Sequence, residues 1–229
     1  MKISKNFIRF AAICGFLTVF TTLGIHLFFS AAPTDFEARA LLFRDNAYLL
    51  NRWWIIIHCL LVVVAMWGVF LVQYRKSIGF AGLGFLFFGV FSITEIVRQM
   101  FVLFYLNGLR AKYVNETDVT IKALLKYDLS NFSIFSNSLF GLFILAFGLG
   151  NLCYGLSLWR EKGFGKILSW MLILWSLGSF TALANEFWAN ATISKIIETY
   201  NYVYQPLMRI LLAWWVMKTA NQSLSFDKI

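Results

Sequence analysis

Six ionisable residues interrupt stretches that are otherwise apolar, and these are the side chains with which the chain could do chemistry. They are His26, His58, Glu95, Arg98, Glu186 and Arg209. Ionisable groups are costly in hydrocarbon, so they are expected to pair, to line a cavity or to bind a ligand. Glu95 and Arg98 are three residues apart and are therefore neighbours on a helix. Glu186 and Arg209 lie on consecutive apolar stretches, and Asn137 adds a neutral polar group. These five residues predict either buried ion pairs or a shared polar ligand pocket.

The two histidines allow a more specific hypothesis. His26 and His58 lie on neighbouring apolar stretches, each about one to one and a half helical turns from the same end. Imidazole nitrogen is an axial ligand of haem iron, so the pair could hold a b-type haem. A histidine on a helix also often does no more than hydrogen-bond a neighbour. Apart from this haem alternative, no cofactor is predicted.

Other chemistries have no support in the sequence. It contains no Gly-x-Ser-x-Gly, His-Glu-x-x-His, P-loop or dinucleotide-binding pattern. The three cysteines, Cys14, Cys59 and Cys153, lie far apart in apolar stretches and form no Cys-x-x-Cys motif. We therefore predict no catalytic residues and no metal ligands. The sequence favours a protein that is not an enzyme, without settling the matter.

The stretches that hold these residues are long enough to cross a membrane. The chain has 229 residues, of which 60% are hydrophobic and 14% charged, whereas a soluble domain is about a quarter charged. This composition excludes a cytosolic enzyme, a disordered chain and a collagen-like fibre. A helix needs about 20 apolar residues to cross the hydrocarbon layer. Six stretches qualify: Phe7–Phe29, Trp53–Val72, Ile78–Leu106, Phe132–Trp159, Ile167–Trp188 and Tyr200–Met217. We predict an all-α polytopic membrane protein, with residues 1–229 forming one six-helix transmembrane domain.

The charges predict the orientation of these helices. The two terminal segments and the short connections hold ten Lys or Arg residues against two carboxylates, and the longer connections hold eight against seven. By the positive-inside rule, both termini lie in the cytoplasm, and the cell membrane, that is a bacterial inner membrane, is the expected location. The ionisable residues within the helices then fall in their outer halves, so the pocket would face outward. The net charge of +9 reflects topology, and no nucleic-acid partner is predicted.

Two further features concern the loops and the packing. We predict that both long outer loops fold back as short interfacial helices, one from Asp35 to Arg44 and one from Thr117 or Asp118 to Tyr127. Aromatic residues near the helix ends are expected to contact the lipid bilayer, and aromatic-rich helix faces could contact protein partners. The glycines that recur every seven residues in the fourth stretch predict close packing of another helix. They are Gly141, Gly148 and Gly155.

Several segments resemble a known family. The basic turn Tyr74–Ser77, followed by Glu95 in the next helix, the segment Gly148–Arg160 and the segment Gln205–Lys218 carry the resemblance. They are similar to a family of bacterial six-helix integral-membrane proteins termed domain of unknown function four-three-eight-six. The resemblance implies a six-helix fold and implies no activity.

The sequence thus favours a non-enzymatic polytopic membrane protein. Its outward-facing polar pocket would bind or transport a small molecule, a lipid or an ion. One alternative is an accessory subunit of a larger membrane complex, and a second is a redox protein with a bis-histidine haem b.

Overall fold

The computed structural model describes residues 4–28 and 33–226, without the side chains of His26 and of residues 222–226. The described residues are helical apart from short connections and contain no strand. The long helices and their neighbours follow the chain in the order α1 (Lys5–Leu27), α2 (Phe36–Ala40), α3 (Asn46–Gln73), α4 (Ile78–Met100), α5 (Asn107–Asn115), α6 (Val119–Ser157), α7 (Phe164–Trp188) and α8 (Ala191–Phe226). A 3₁₀ turn, Leu41–Arg44, follows α2, and a π-helical turn, Phe101–Leu106, joins α4 to α5.

Five helical segments are long and apolar enough to cross a membrane, as expected of an integral membrane protein. They are Lys5–Ile25, Asn46–Gln73, Ile78–Asn115, Val119–Ser157 and Phe164–Trp188. Large apolar side chains such as Phe104 and Ile93 are exposed on these helices, which is compatible with contact with lipid. The sixth predicted span lies within α8, where Asn201, Gln205 and Arg209 interrupt the apolar residues. Six crossings and the orientation of the termini therefore stay predictions.

The long helices form a closed ring. Each packs on the next one in sequence, and α1 also packs on α8. Hydrogen bonds show which helix ends meet. Arg9 near the start of α1 donates to Asn221 in the last turns of α8, and Trp54 of α3 donates to the Thr21 carbonyl of α1. One end of the ring thus holds the starts of α1, α4 and α7, and we call it the basic end. The other end holds α2 and α5, and we call it the loop end.

A charged cluster joins the two turns at the basic end. Glu161 accepts hydrogen bonds from Lys76 Nζ at 2.6 Å and from Gln73 Nε2 at 3.1 Å. Partial burial acts to raise the pKa of the Glu161 carboxyl, but these hydrogen bonds and the Lys76 charge outweigh it and hold that pKa below its ordinary value. The cluster connects the α3–α4 turn to the α6–α7 turn.

The glycine stripe of α6 faces α7. A Cβ atom on Gly148 would lie 2.8 Å from the Phe180 ring, and one on Gly155 would lie 2.7 Å from Ile173 and 3.1 Å from the Ser169 carbonyl oxygen. Gly141 has more room, since its nearest neighbour, on Leu183, would be 3.9 Å away. Ser169 Oγ also donates to the Gly155 carbonyl at 2.7 Å, which is possible because the two backbones are close.

The structure differs from the sequence prediction in the second long loop. The predicted short helix from Thr117 or Asp118 does begin there, with the Asp118 carboxylate accepting from Thr120 and Ile121, but it does not end at Tyr127. It continues into the fourth span as α6. Polar residues such as Ser130 and Ser133 looked like a loop, yet their hydroxyls donate to backbone carbonyls of the preceding turn and leave the helix unbroken. In the first long loop, α2 and the 3₁₀ turn occupy the predicted segment.

Candidate functional site

A cavity of about 410 Å³ opens between the long helices towards the loop end, and we call it the acidic cavity. One wall, from α4 and α6, is aromatic: Phe91, Phe140, Phe143 and Phe147. Their rings form a continuous cluster, with the Phe91 and Phe143 centroids 4.4 Å apart. The lining from α3, α7 and α8 includes Ile55, Ala182 and Ile197 and carries most of the polar side chains: His58, Ser179, Asn185, Glu186, Ser194, Glu198, Asn201 and Gln205. Glu95 also lines the cavity, and no Lys or Arg is among the described residues that line it.

At the edge of this cavity, the buried Glu95 forms an ion pair with the partly exposed Arg98. Arg98 donates from Nε at 2.8 Å and from Nη2 at 2.6 Å to the two carboxylate oxygens of Glu95. Gln99 adds a third hydrogen bond at 2.6 Å. Because this geometry is bidentate and the carboxylate is only 3% exposed, the Glu95 charge is neutralised within the protein.

Glu186 and Glu198 lie at the mouth of the acidic cavity and are exposed. The turn between α7 and α8 positions them, and Asn185 holds this turn. The Asn185 amide accepts from the Asn190 N–H at 3.1 Å and donates to Ser194 Oγ at 2.8 Å. In residues 4–28 and 33–226, no cation lies within ion-pair distance of Glu186 or Glu198. Their two charges are therefore available to a ligand.

Arg209 is buried, and the ion pair with Glu186 that the sequence suggested is not formed. Arg209 is 1% exposed, and none of its three side-chain nitrogens has a hydrogen-bond partner among the described residues. Its guanidinium carbon lies 5.5 Å from the centre of the Trp175 ring. Glu186 belongs to the last turn of α7 and is exposed at the cavity mouth, while Arg209 faces the ring interior. A buried cation without a carboxylate is costly, and in membrane proteins such residues are typical of functional sites.

The structure describes the side chain of only one of the two predicted haem ligands. His58 is buried, lines the acidic cavity and has Nδ1 2.7 Å from the Thr21 hydroxyl. The His26 side chain lies outside the described residues. No group of three or more His, Cys, Asp or Glu side chains that could hold a metal ion occurs within the part of the chain that the structure describes. Haem binding by His26 and His58 stays a prediction.

Asn137 does not line the acidic cavity. It lies in a second cavity, of about 360 Å³, between α2, α3, the end of α4, α5 and α6, which we call the arginine cavity. The sequence placed Asn137 in the shared pocket by its depth in the fourth span. Asn137 is seven residues, nearly two turns, from Ile144 of the acidic cavity and shares its face of α6, but it lies nearer the loop end, beside the arginines. Four arginines line this second cavity: Arg39, Arg52, Arg98 and Arg110. Sequence reasoning missed it because Arg39, Arg52 and Arg110 were counted only as loop charges.

Comparisons with protein-family models, with curated proteins and with solved structures found no match to this chain. The resemblance to the six-helix family of unknown function therefore stays a prediction. The function has to be argued from the two cavities.

Proposed function

We propose that the protein binds a small amphipathic cation in the acidic cavity. The observation that carries this proposal is the division of that cavity into an aromatic wall and an acidic mouth. The wall of four phenylalanine rings suits an apolar or aromatic body, and the Glu186 and Glu198 carboxylates suit a positive charge. Its volume of about 410 Å³ falls in the range of small-molecule sites, roughly 300–1,000 Å³.

The distribution of charge also sets the orientation of the ligand. Glu95 is already paired with Arg98, so the uncompensated negative charge lies at the mouth. Arg209 lies in the ring interior, is 1% exposed and has no carboxylate partner among the described residues. A cation is therefore attracted to the mouth and repelled from the interior. We expect the charged group to stay between Glu186 and Glu198 while the apolar part contacts the phenylalanine rings.

Removing the two mouth carboxylates should weaken cation binding. The test compares tetraphenylphosphonium with tetraphenylborate, an anion of the same shape, on the full chain in phosphatidylcholine nanodiscs. We expect the phosphonium to bind more tightly to the unaltered protein. The double variant Glu186→Gln/Glu198→Gln should lose about tenfold in its affinity for the phosphonium, or about 1.4 kcal/mol. Equilibrium dialysis measures both ligands.

Asp128→Asn is the matched control for this experiment. It removes one carboxylate from an exposed position on α6 that does not line the acidic cavity. Its affinity for the phosphonium should stay within twofold of that of the unaltered protein. Equal binding of the two probes, or an equal loss with Asp128→Asn, would contradict the proposal. Uptake of the phosphonium into proteoliposomes would extend it from binding to transport.

We also propose that all six long helices cross a bacterial inner membrane, with the basic end in the cytoplasm. The supporting observation is the concentration of Lys and Arg in the short turns at that end, among them Arg75, Lys76, Arg160, Lys162 and Lys166. Short basic loops are retained in the cytoplasm. The helix α8 then crosses with its polar first half at the outer surface.

Cysteine labelling tests this topology. The native cysteines Cys14, Cys59 and Cys153 are buried, so background labelling should be low. In intact spheroplasts a membrane-impermeant maleimide should label Thr117→Cys and Thr192→Cys. It should label Lys162→Cys and Lys218→Cys only after lysis. Labelling of Lys218→Cys in intact spheroplasts would mean that α8 does not cross.

A further inference from the structure

The arginine cavity carries an excess of positive charge. Of its four arginines, Arg98 is paired with Glu95. Arg39, Arg52 and Arg110 have no carboxylate within ion-pair distance among residues 4–28 and 33–226. They come from α2, α3 and α5, so three separate elements bring uncompensated cations to one cavity.

The carboxylates that balance the charge of these arginines in the sequence make other contacts, to backbone N–H groups. Asp35, Asp45 and Asp118 accept hydrogen bonds from backbone N–H groups in the first turns of α2, α3 and α6. A carboxylate in this position caps the helix and interacts favourably with its dipole. The loop end has little net charge, because its Lys and Arg residues and its carboxylates are nearly equal in number. The arginine cavity is nonetheless positive, since no Asp or Glu is among the described residues that line it.

One of the arginines, Arg52, has a buried nitrogen without a hydrogen-bond partner among the described residues. Arg110 is 8% exposed and donates from Nη1 to Tyr48 Oη at 3.2 Å and to Asn107 Oδ1 at 2.9 Å. Arg52 donates from Nη1 to Gln99 Oε1 at 3.2 Å, but its buried Nε has no acceptor among the described residues. Both guanidinium groups contact the Tyr48 ring, at 4.6 Å and 5.3 Å from its centre. A ligand rich in oxygen acceptors would supply the acceptor that the Arg52 Nε lacks.

The π-helical turn brings Arg98 and Arg110 to the same face. In a regular α-helix each residue advances about 100°, so residues 12 apart differ by about 120° around the axis. The π-helical turn Phe101–Leu106 lies between them and accommodates one extra residue. The angle between Arg98 and Arg110 around the helix axis is then that of residues 11 apart in a regular α-helix, about 20°. π-Helical turns are frequent at functional sites, and this one also contributes Val102 and Leu106 to the cavity.

From this arrangement we propose that the arginine cavity binds a phosphate-bearing anion. Planar guanidinium groups recognise phosphate oxygens through paired hydrogen bonds, and convergent arginines are the usual means of holding that group. Asn137 and Ser136 of α6 add neutral donors. This site lies on the other side of the Glu95–Arg98 pair from the acidic cavity and does not depend on the cation site.

Two sources could supply the phosphate group. The apolar part of the cavity, which includes Leu129 and Phe132, suits the glycerol and acyl part of an acidic phospholipid. A water-soluble phosphate compound would use the arginines alone. The same protein preparation can distinguish the two.

The experiment uses the full chain in nanodiscs. In the lipid arm, discs of equal parts phosphatidylglycerol and phosphatidylcholine are used, and native mass spectrometry records which lipid the released protein retains. In the soluble arm, inorganic phosphate is titrated into pure phosphatidylcholine discs and the unfolding temperature is followed by tryptophan fluorescence. We expect selective retention of phosphatidylglycerol, a rise in unfolding temperature with phosphate, or both. If neither response is observed, the proposal is overturned.

Three variants test whether anion binding depends on the arginines of this cavity. Arg39→Gln alters an exposed side chain with no ion pair, so it should fold normally and weaken anion binding about threefold to tenfold. Arg52→Gln should weaken it at least as much. Lys112→Gln removes the same charge from an exposed position on α5 that does not line the cavity, and binding should stay within twofold of the unaltered protein. An equal loss in Arg39→Gln and Lys112→Gln would mean general attraction of anions and would also overturn the proposal.

Discussion

Replacing Arg209 with methionine is expected to stabilise the protein by about 2 kcal/mol. The guanidinium group is 1% exposed and has no hydrogen-bond partner among the described residues. Exchanging a buried ionic group for an apolar side chain of similar length is often neutral or stabilising by about 1–4 kcal/mol. The free energy of unfolding, measured in mixed micelles with a denaturing detergent, reports the change. If Arg209 contributes to ligand binding and not to stability, the same variant should also bind ligand in the acidic cavity with a changed affinity.

The matched comparison is Arg98→Met, which should have the opposite effect. Arg98 makes two hydrogen bonds to Glu95, and its loss would leave a carboxylate that is 3% exposed without its cation. Breaking a buried pair in this way costs about 3–5 kcal/mol. The two arginines, one buried without a carboxylate and one paired with a buried carboxylate, thus predict changes of opposite sign. Destabilisation by Arg209→Met of the same size as by Arg98→Met would mean that Arg209 has a structural partner.

Adding one methyl group at Gly155 should destabilise the protein by about 2 kcal/mol. The new Cβ of Gly155→Ala would lie 2.7 Å from Ile173 and 3.1 Å from the Ser169 carbonyl oxygen, so α7 would have to move away. Overpacking of this kind costs about 1–3 kcal/mol. Separation of the helices would also lengthen the hydrogen bond between Ser169 and the Gly155 carbonyl. The same detergent titration measures the loss.

Gly141→Ala is the control, because it lies on the same stripe of α6. Its Cβ would meet nothing nearer than 3.9 Å, and alanine favours the helix by about 1 kcal/mol. We expect a stability equal to or above that of the unaltered protein. Equal losses at both positions would mean that the effect comes from α6 itself and not from its contact with α7.

The helical architecture could be read from the sequence because apolar runs of membrane length are a strong signal. Each predicted span lies mostly in described helix. Phe28, Leu158 and Trp159 fall just past the ends of α1 and α6, and Phe29 lies outside the described residues. The continuous helix α6 could not be predicted, since Asp128, Ser130 and Asn131 have the composition of a loop. Their helical state depends on an unbroken backbone and on packing that no short window of sequence contains.

The site was predicted in part. The spacing of Glu95 and Arg98 gave their pairing, because three residues on a helix place two side chains together. Arg209 could not be placed, since the rotation of α8 about its axis depends on its neighbours. The arginine cavity could not be predicted from the sequence, because the loops have a small net charge. Only the helix caps show that Asp35 and Asp45 are not partners of the arginines.

The closed ring of helices has a consequence for biosynthesis. The contact between α1 and α8 joins the first helix to the last, so the α1 side of the ring stays open until α8 has been made. Small residues of that interface, such as Gly15 facing Ala213, face lipid until then. On the six-span proposal, Arg209 adds about 2.5–3.5 kcal/mol to the insertion of α8 as a single helix. The last helix would then enter the bilayer with the help of a surface that the first helix has kept open, and its arrival would complete the fold.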